Sequence, residues 1–89
     1  MPTERLYRPD PKVVFTRLDD SQAALLHLDT KVYYSVNETG AMIWEMLGSE
    51  SSPAAIAAEI TKEYDVAETE ALPYVLEFLQ ELDEEGLVR

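Results

Sequence analysis

The sequence predicts an α+β fold, a three-stranded antiparallel sheet followed by three helices, and three observations carry that prediction. Positions 13–36 hold short runs of β-branched, aliphatic and aromatic residues separated by polar turn-forming links. From Asn37 onward the apolar residues recur at helical spacing, and the breaks in that spacing fall at Gly48 to Ser52 and at Tyr64 to Val66. The chain is 89 residues long, which suffices for one small domain and leaves no room for a second.

Residues 1–12 carry Pro2, Pro9 and Pro11 among mixed charges and read as an extended lead-in, with the folded unit occupying 13–89. The first strand is expected over 13–18. Asp19, Asp20 and Ser21 then supply side chains that bond their own backbone in a turn, and a second strand follows over 23–28. Asp29, Thr30 and Lys31 close a hairpin into a third strand over 32–36, where Tyr33 and Tyr34 face opposite sides of the sheet. One of the two is expected against the helices, the other on the open face.

Asn37 is a good N-cap, because its side-chain oxygen can accept from a free backbone N–H, and Glu38 follows it at the positive end of the helix dipole. Ala41, Met42, Trp44, Met46 and Leu47 give that helix a broad apolar face ending near Gly48. Ser52 before Pro53 starts the second helix, in which Ile56, Ala57 and Ile60 share a face. The third helix is expected to be capped at Thr69, which brings Pro73 close to the first turn, where a missing N–H costs little. Its stripe of Leu72, Val75, Leu76, Phe78, Leu79 and Leu82, with Tyr74, spans more than half the circumference, wider than a small core requires. Gly86 is the C-terminal stop, and Leu87 and Val88 are expected to fold back in a Schellman-type ending.

Composition narrows the function. The net charge of −11 repels phosphate backbones and anionic lipid, so neither nucleic acid nor a membrane is an expected partner. The same charge favours basic peptides, or serves solubility. With no cysteine there are no disulfides, thiolate metal sites or thiol nucleophiles. The start MPTERLYRPDPK lacks the apolar stretch of a signal peptide, so a cytoplasmic location is the expectation.

No cofactor, metal or catalytic constellation is legible. His27 sits alone between two leucines and is expected to pack or face solvent, and the serines at 35, 49, 51 and 52 lack a nucleophile elbow. Gly40, Gly48 and Gly86 are too scattered to cradle a phosphate. The acidic run of Glu77, Glu81, Asp83, Glu84 and Glu85 lacks the spacing of a calcium loop and reads as a solvated helix face. Trp44 with Met42 and Met46 reads as core. What the architecture does offer is a third strand with one unpaired side, whose backbone groups an extended peptide could complete, walled by the surplus apolar stripe of the last helix.

At this point the segment LHLDTKVYYSVNETGAMIWEML (26–47), with the ending FLQELDEEGLV (78–88), resembles the PqqD-like proteins, recognition elements of ribosomally made, post-translationally modified peptides. The likeness covers 13–89. Lys31 departs from it, standing where a turn glycine is usual, and Val36 replaces the common Leu.

The resemblance implies a winged-helix-like, non-catalytic domain that binds the leader segment of a precursor peptide as a fourth strand between the third strand and the third helix. Carried onto this chain, the lining would be Val32, Tyr33, Tyr34, Ser35 and Val36 from the strand and Tyr74, Leu76 and Phe78 from the helix, with Glu77, Glu81 or Asp83 facing basic leader residues. Either Tyr33→Ala or Phe78→Ala is then expected to weaken binding. Asp29-Thr30-Lys31 and Gly40 followed by Trp44 look more like the stand-alone proteins of lasso-peptide clusters than like members from pyrroloquinoline quinone synthesis. That implies presentation of the leader to a separate leader peptidase, a cysteine protease.

Other readings stay open at the level of sequence. One is a PqqD-like chaperone serving a radical SAM enzyme, and another is an acidic winged-helix protein-interaction domain. A DNA-binding winged helix would need a basic recognition helix, and the second helix offers only Lys62. The free strand edge could also pair two copies into a homodimer.

Overall fold

The computed structural model describes residues 7–89, and the first half of the expected lead-in, 1–6 with Pro2, lies outside them. Three strands, β1 (Val13–Arg17), β2 (Gln22–His27) and β3 (Tyr33–Asn37), precede three helices, α1 (Glu38–Gly48), α2 (Pro53–Glu63) and α3 (Glu68–Glu84). The sheet order is β1-β2-β3 with both pairings antiparallel, which makes β3 an edge.

Local chemistry sets each connection. Between β1 and β2, Asp19 Oδ1 accepts from the Ser21 backbone N–H at 2.8 Å and from its hydroxyl at 3.1 Å. Those two bonds stabilise the ionised carboxylate and hold its pKa below the usual value. Between β2 and β3, His27 does more than pack. It is buried, and its Nδ1 accepts from the backbone N–H of Asp29 at 3.1 Å and of Thr30 at 3.2 Å, so the imidazole organises the turn. Lys31 takes the left-handed conformation there, with φ of 65°. The sequence departs from glycine at the one position of that turn where glycine would be least strained.

Asn37 caps α1 as expected, its side chain accepting from Gly40 N–H at 2.8 Å, and Ser52 caps α2 with Pro53 in the first turn. The start of α3 is a correction. Its N-cap is Ala67, without a side-chain bond, and the helix begins at Glu68, so Thr69 lies inside it and Pro73 is an interior residue. Starting at Glu68 lets the Ala67 carbonyl accept from Glu70 N–H at 2.9 Å and Ala71 N–H at 3.0 Å, and sets Glu68 and Glu70 at the positive end of the helix dipole. Pro73 is exposed, so its missing hydrogen bond falls on the wet side of the helix, where water can serve the freed carbonyl.

At the other end the Schellman ending is complete. Leu87 N–H donates to the Leu82 carbonyl at 2.9 Å, Gly86 N–H to the Asp83 carbonyl at 3.0 Å, and Gly86 has φ of 75°. The reversed tail plugs Leu87 and Val88 into the core. It also pairs with the N-terminal segment: Pro9 bridges Val88, Arg8 and Arg89 exchange backbone bonds, and Asp10 N–H donates to the Leu87 carbonyl. Pro9 tolerates this because the neighbours Arg8 and Asp10 supply the donors. Tyr7, on the same segment, is buried.

The core lies between one face of the sheet and the helices. Ala23, Leu25 and Val36 meet Ile43, Trp44 and Leu47 of α1, while Ile56 and Ile60 of α2 pack on Val75, Leu79 and Leu82 of α3. Trp44 is core, as its neighbours suggested. The opposite face of the sheet is open.

Candidate functional site

Alternation along β3 decides what each residue offers. His27 N–H donates to the Val32 carbonyl at 2.9 Å, and the register pairs Leu25 with Tyr34 and Ala23 with Val36. In an antiparallel ladder the bonded pairs recur every second residue, so Val32, Tyr34 and Val36 direct their backbone groups at β2. Tyr33, Ser35 and Asn37 direct theirs at the outer edge, and among the described residues no strand pairs there. The side chains alternate as well: Tyr34 and Val36 turn toward the helices, and Tyr33, 62% exposed, stands on the open face.

Beside that edge runs α3, leaving a cleft of 270 Å³ lined by Tyr34, Ser35, Val36 and Asn37 on one wall and Tyr74, Glu77, Phe78 and Glu81 on the other. The helix residues fall at the i, i+3, i+4, i+7 spacing of one face, so the wall is a continuous row. Tyr34 ties the two walls together. Its ring meets Phe78 edge to face with centroids 6.3 Å apart, and its hydroxyl donates to Glu81 Oε2 at 2.7 Å. Loss of solvent around the phenol, then the bond to Glu81 and its negative charge, push the Tyr34 pKa up to about 12. Two carboxylates and no basic side chain line the cleft, so its polarity suits a cationic or neutral peptide.

Residue 40, a glycine, lies against Val36 and Phe78. A Cβ there would come to 3.0 Å from Val36 Cβ and 3.2 Å from Phe78 Cζ, tighter than nine in ten real contacts, so these neighbours would have to give by a few tenths of an ångström. The glycine in the first turn of α1 thus leaves Phe78 its place in the cleft wall.

Of the sequence-predicted lining residues, the structure brings Tyr34, Ser35, Val36, Tyr74, Phe78 and Glu81 together around the cleft. Three others lie elsewhere. Val32 is half-buried just ahead of β3 and bonded to His27, and Tyr33 contributes edge backbone while its ring is on the other face. Leu76, half-buried, sits two residues from Phe78, about 200° around the helix, and so faces away from the cleft. Of the acids expected to face a leader, Glu77 and Glu81 line the cleft and Asp83 does not. Sequence reasoning missed Asn37 as lining, although its parity with Ser35 places it on the same edge.

The fold and cleft together define a small α+β domain with one open sheet edge facing an aromatic and acidic helix wall. The profile of the family described as Coenzyme PQQ synthesis protein D (PqqD) matches residues 22–88, and the chain belongs to that family. Two solved structures are closely similar. TbiB1 in complex with the TbiA(beta) leader peptide is 29% identical, with a TM-score of 0.84 over 92% of this chain and 94% of that one. Lasso peptide synthetase B1 complexed with the leader peptide is 28% identical, with a TM-score of 0.85 over 96% and 99% of the two chains. No curated protein matches the sequence. Among the described residues no helix is long and apolar enough to cross a membrane, and no group of three or more His, Asp or Glu side chains is placed to hold a metal ion.

Proposed function

We propose that this protein binds the leader segment of a ribosomally made precursor peptide by strand addition to β3, and hands it to a separate leader peptidase during lasso-peptide maturation. The observation that carries the reading is the free backbone edge of Tyr33, Ser35 and Asn37 set against the α3 wall of Tyr74, Phe78 and Glu81. Main-chain bonds along that edge give affinity, and the aromatic and acidic wall gives register. The likeness to two lasso-peptide proteins solved with leader peptides supports the pathway. The protein then acts by holding and presenting its ligand, and the chemistry belongs to the partner, a cysteine protease. A cytoplasmic setting, where precursors are made, follows from this role.

The family match favours a second reading, presentation of a precursor to a radical SAM enzyme of the kind that serves pyrroloquinoline quinone synthesis. The two readings share the cleft and differ in the enzyme that receives the peptide. In either, a leader would compete with a second copy for the free edge, so that any homodimer should dissociate on loading.

Ser35→Pro is the direct test. Ser35 directs its N–H away from β2, so proline there removes an edge donor without breaking the ladder. Calorimetric titration with a synthetic peptide carrying a lasso-precursor leader that the wild type binds should lose about tenfold or more in affinity for the variant, with a thermal midpoint within a few degrees of the wild type. Equal affinity for the two proteins rules out strand addition at β3.

A further inference from the structure

His27 is the only histidine of the chain, and 6% of its surface reaches solvent. Its two ring nitrogens face different parts of the molecule. Nδ1 accepts from the backbone N–H of Asp29 at 3.1 Å and of Thr30 at 3.2 Å, while Nε2 lies 3.8 Å from Asp10 Oδ2 of the N-terminal segment. An imidazole nitrogen that accepts N–H bonds keeps its lone pair, so the ring is neutral here, with its proton on Nε2 toward Asp10. The backbone of the same residue grips the far side of the turn: His27 N–H donates to the Val32 carbonyl at 2.9 Å, and its carbonyl accepts from Lys31 N–H at 2.8 Å. One residue thus fixes positions 29–32, the segment that delivers the chain to the free edge at Tyr33.

The other turn of the sheet holds a counterpart. Asp19 Oδ1 accepts from the N–H of Ser21, two residues on, as His27 Nδ1 accepts from the N–H of Asp29, two residues on. The chemistry differs. A carboxylate stays ionised and accepting near neutral pH, whereas an imidazole that takes up a proton turns Nδ1 into a donor and sets it against two backbone donors. The new charge meets Asp10, whose Oδ1 accepts from Lys12 N–H at 2.8 Å. Protonation therefore leaves the ring held at Asp10 and lets go of the turn. The other charged residues of the surrounding backbone are Lys12, whose carbonyl accepts from Leu28 N–H, and Asp29 and Lys31 in the turn itself. On β3 the next titratable group on the same face is Tyr34, committed to Glu81, and beyond Asp10 the Arg8 guanidinium is committed to Glu50.

We propose that His27 is a positioning residue for the leader edge and that it works only as the neutral imidazole: taking up a proton releases the β2–β3 turn, frees the Tyr33 end of β3, and weakens the hold on the leader without unfolding the domain. This rests on the reading of β3 as the leader edge, and it adds a pH dependence that strand addition does not itself contain.

Calorimetric titration of the full chain with a histidine-free synthetic lasso-precursor leader, at about pH 8 and about pH 5.5, tests it, because histidine is the side chain that ordinarily changes charge across that interval. Wild-type affinity should fall about fivefold or more at the lower pH. His27→Asn supplies an amide oxygen that can accept from Asp29 N–H, as Asp19 accepts from Ser21, and that carries no titrating charge. That variant should bind within about threefold of the wild type at the higher pH and change by less than about twofold at the lower. Nitrogen NMR of the wild-type ring should show an unprotonated Nδ1 at the higher pH. At the lower pH the amide protection of Asp29 and Thr30 should drop while that of Ala24, in the β1–β2 pairing, holds. These wild-type readings decide the matter even if the variant folds poorly. Equal wild-type affinity at the two pH values overturns the proposal. So does a loss of the same size in His27→Asn, which places the titrating group elsewhere, or a thermal melt showing that the wild type unfolds as a whole at the lower pH. In each of these the leader still binds at the higher pH, and the reading of β3 stands. Equal binding by Ser35→Pro at the higher pH overturns strand addition, and the role of His27 with it.

Discussion

Tyr34 on β3 donates its hydroxyl to Glu81 on α3 at 2.7 Å, a side-chain hydrogen bond joining the two walls of the cleft. The bond favours the neutral phenol, and the pKa is raised from 10 to about 12. A raised folded-state value means that the stabilisation is fully present below pH 10 and is lost as the pH climbs from 10 through about 12. The phenolate absorbance of Tyr34, assigned by difference from Tyr34→Phe, should accordingly emerge near pH 12, and Glu81→Gln should lower that midpoint. A Tyr34 midpoint that does not move in Glu81→Gln removes the link between the walls.

Phe78 and Tyr33 separate cleft contacts from surface contacts. Phe78→Ala takes away half of the aromatic pair and should weaken leader binding by about tenfold or more, at a stability cost of roughly 1–2 kcal/mol for a half-buried ring. The ring of Tyr33 stands on the open face of the sheet, so Tyr33→Ala should change affinity by less than about twofold, contrary to the sequence-level expectation that both would matter. Parallel titrations decide the point; a larger loss for Tyr33 than for Phe78 reverses the assignment.

Gly40→Ala sets two effects of similar size against each other. Alanine gains about 1 kcal/mol of helix propensity, while the crowding against Val36 and Phe78 costs about 1–3 kcal/mol if nothing yields. Phe78 can yield, because one side of it is open cleft, whereas the nearer Val36 Cβ is buried and fixed to its backbone. Chemical denaturation should therefore place the variant about 1–2 kcal/mol below the wild type, while leader affinity falls as the displaced ring fills the cleft. A variant that is unchanged in affinity shows that the ring does not need to move.

Lys31→Gly relieves a left-handed residue in the β2–β3 turn. The strain removed, about 1–2 kcal/mol, exceeds the extra backbone entropy of glycine, about 0.5–1 kcal/mol, so denaturation should report a gain of roughly 0.5–1 kcal/mol. A loss there makes the lysine side chain, and not the turn geometry, the reason for its presence.

How much of this was legible beforehand depends on the range of the interaction responsible. Asn37, Ser52 and Gly86 announced their helix ends because a cap is decided by atoms within a few residues of it. The three strands were placed to within a residue or two for a similar reason, their turns being closed by side chains such as Asp19. Long-range choices were not written locally. Pro9 is bridged by Val88, some eighty residues distant, and Tyr7 on the same segment is buried, so nothing near the prolines revealed a partner. The stripe of α3 was visibly too wide, yet width alone could not say that Tyr74 and Phe78 turn to the cleft while Leu76 turns away. That partition needs the phase of the helix against β3.

The Schellman turn at Gly86 gives Leu87, Val88 and Arg89 a role out of proportion to their number. Deleting them would strip two side chains from the hydrophobic interior and the backbone partners of Arg8 and Asp10 together. Residues 8–10 and 87–89 thus act as a latch that shuts the domain, and a variant that loses either side should open both.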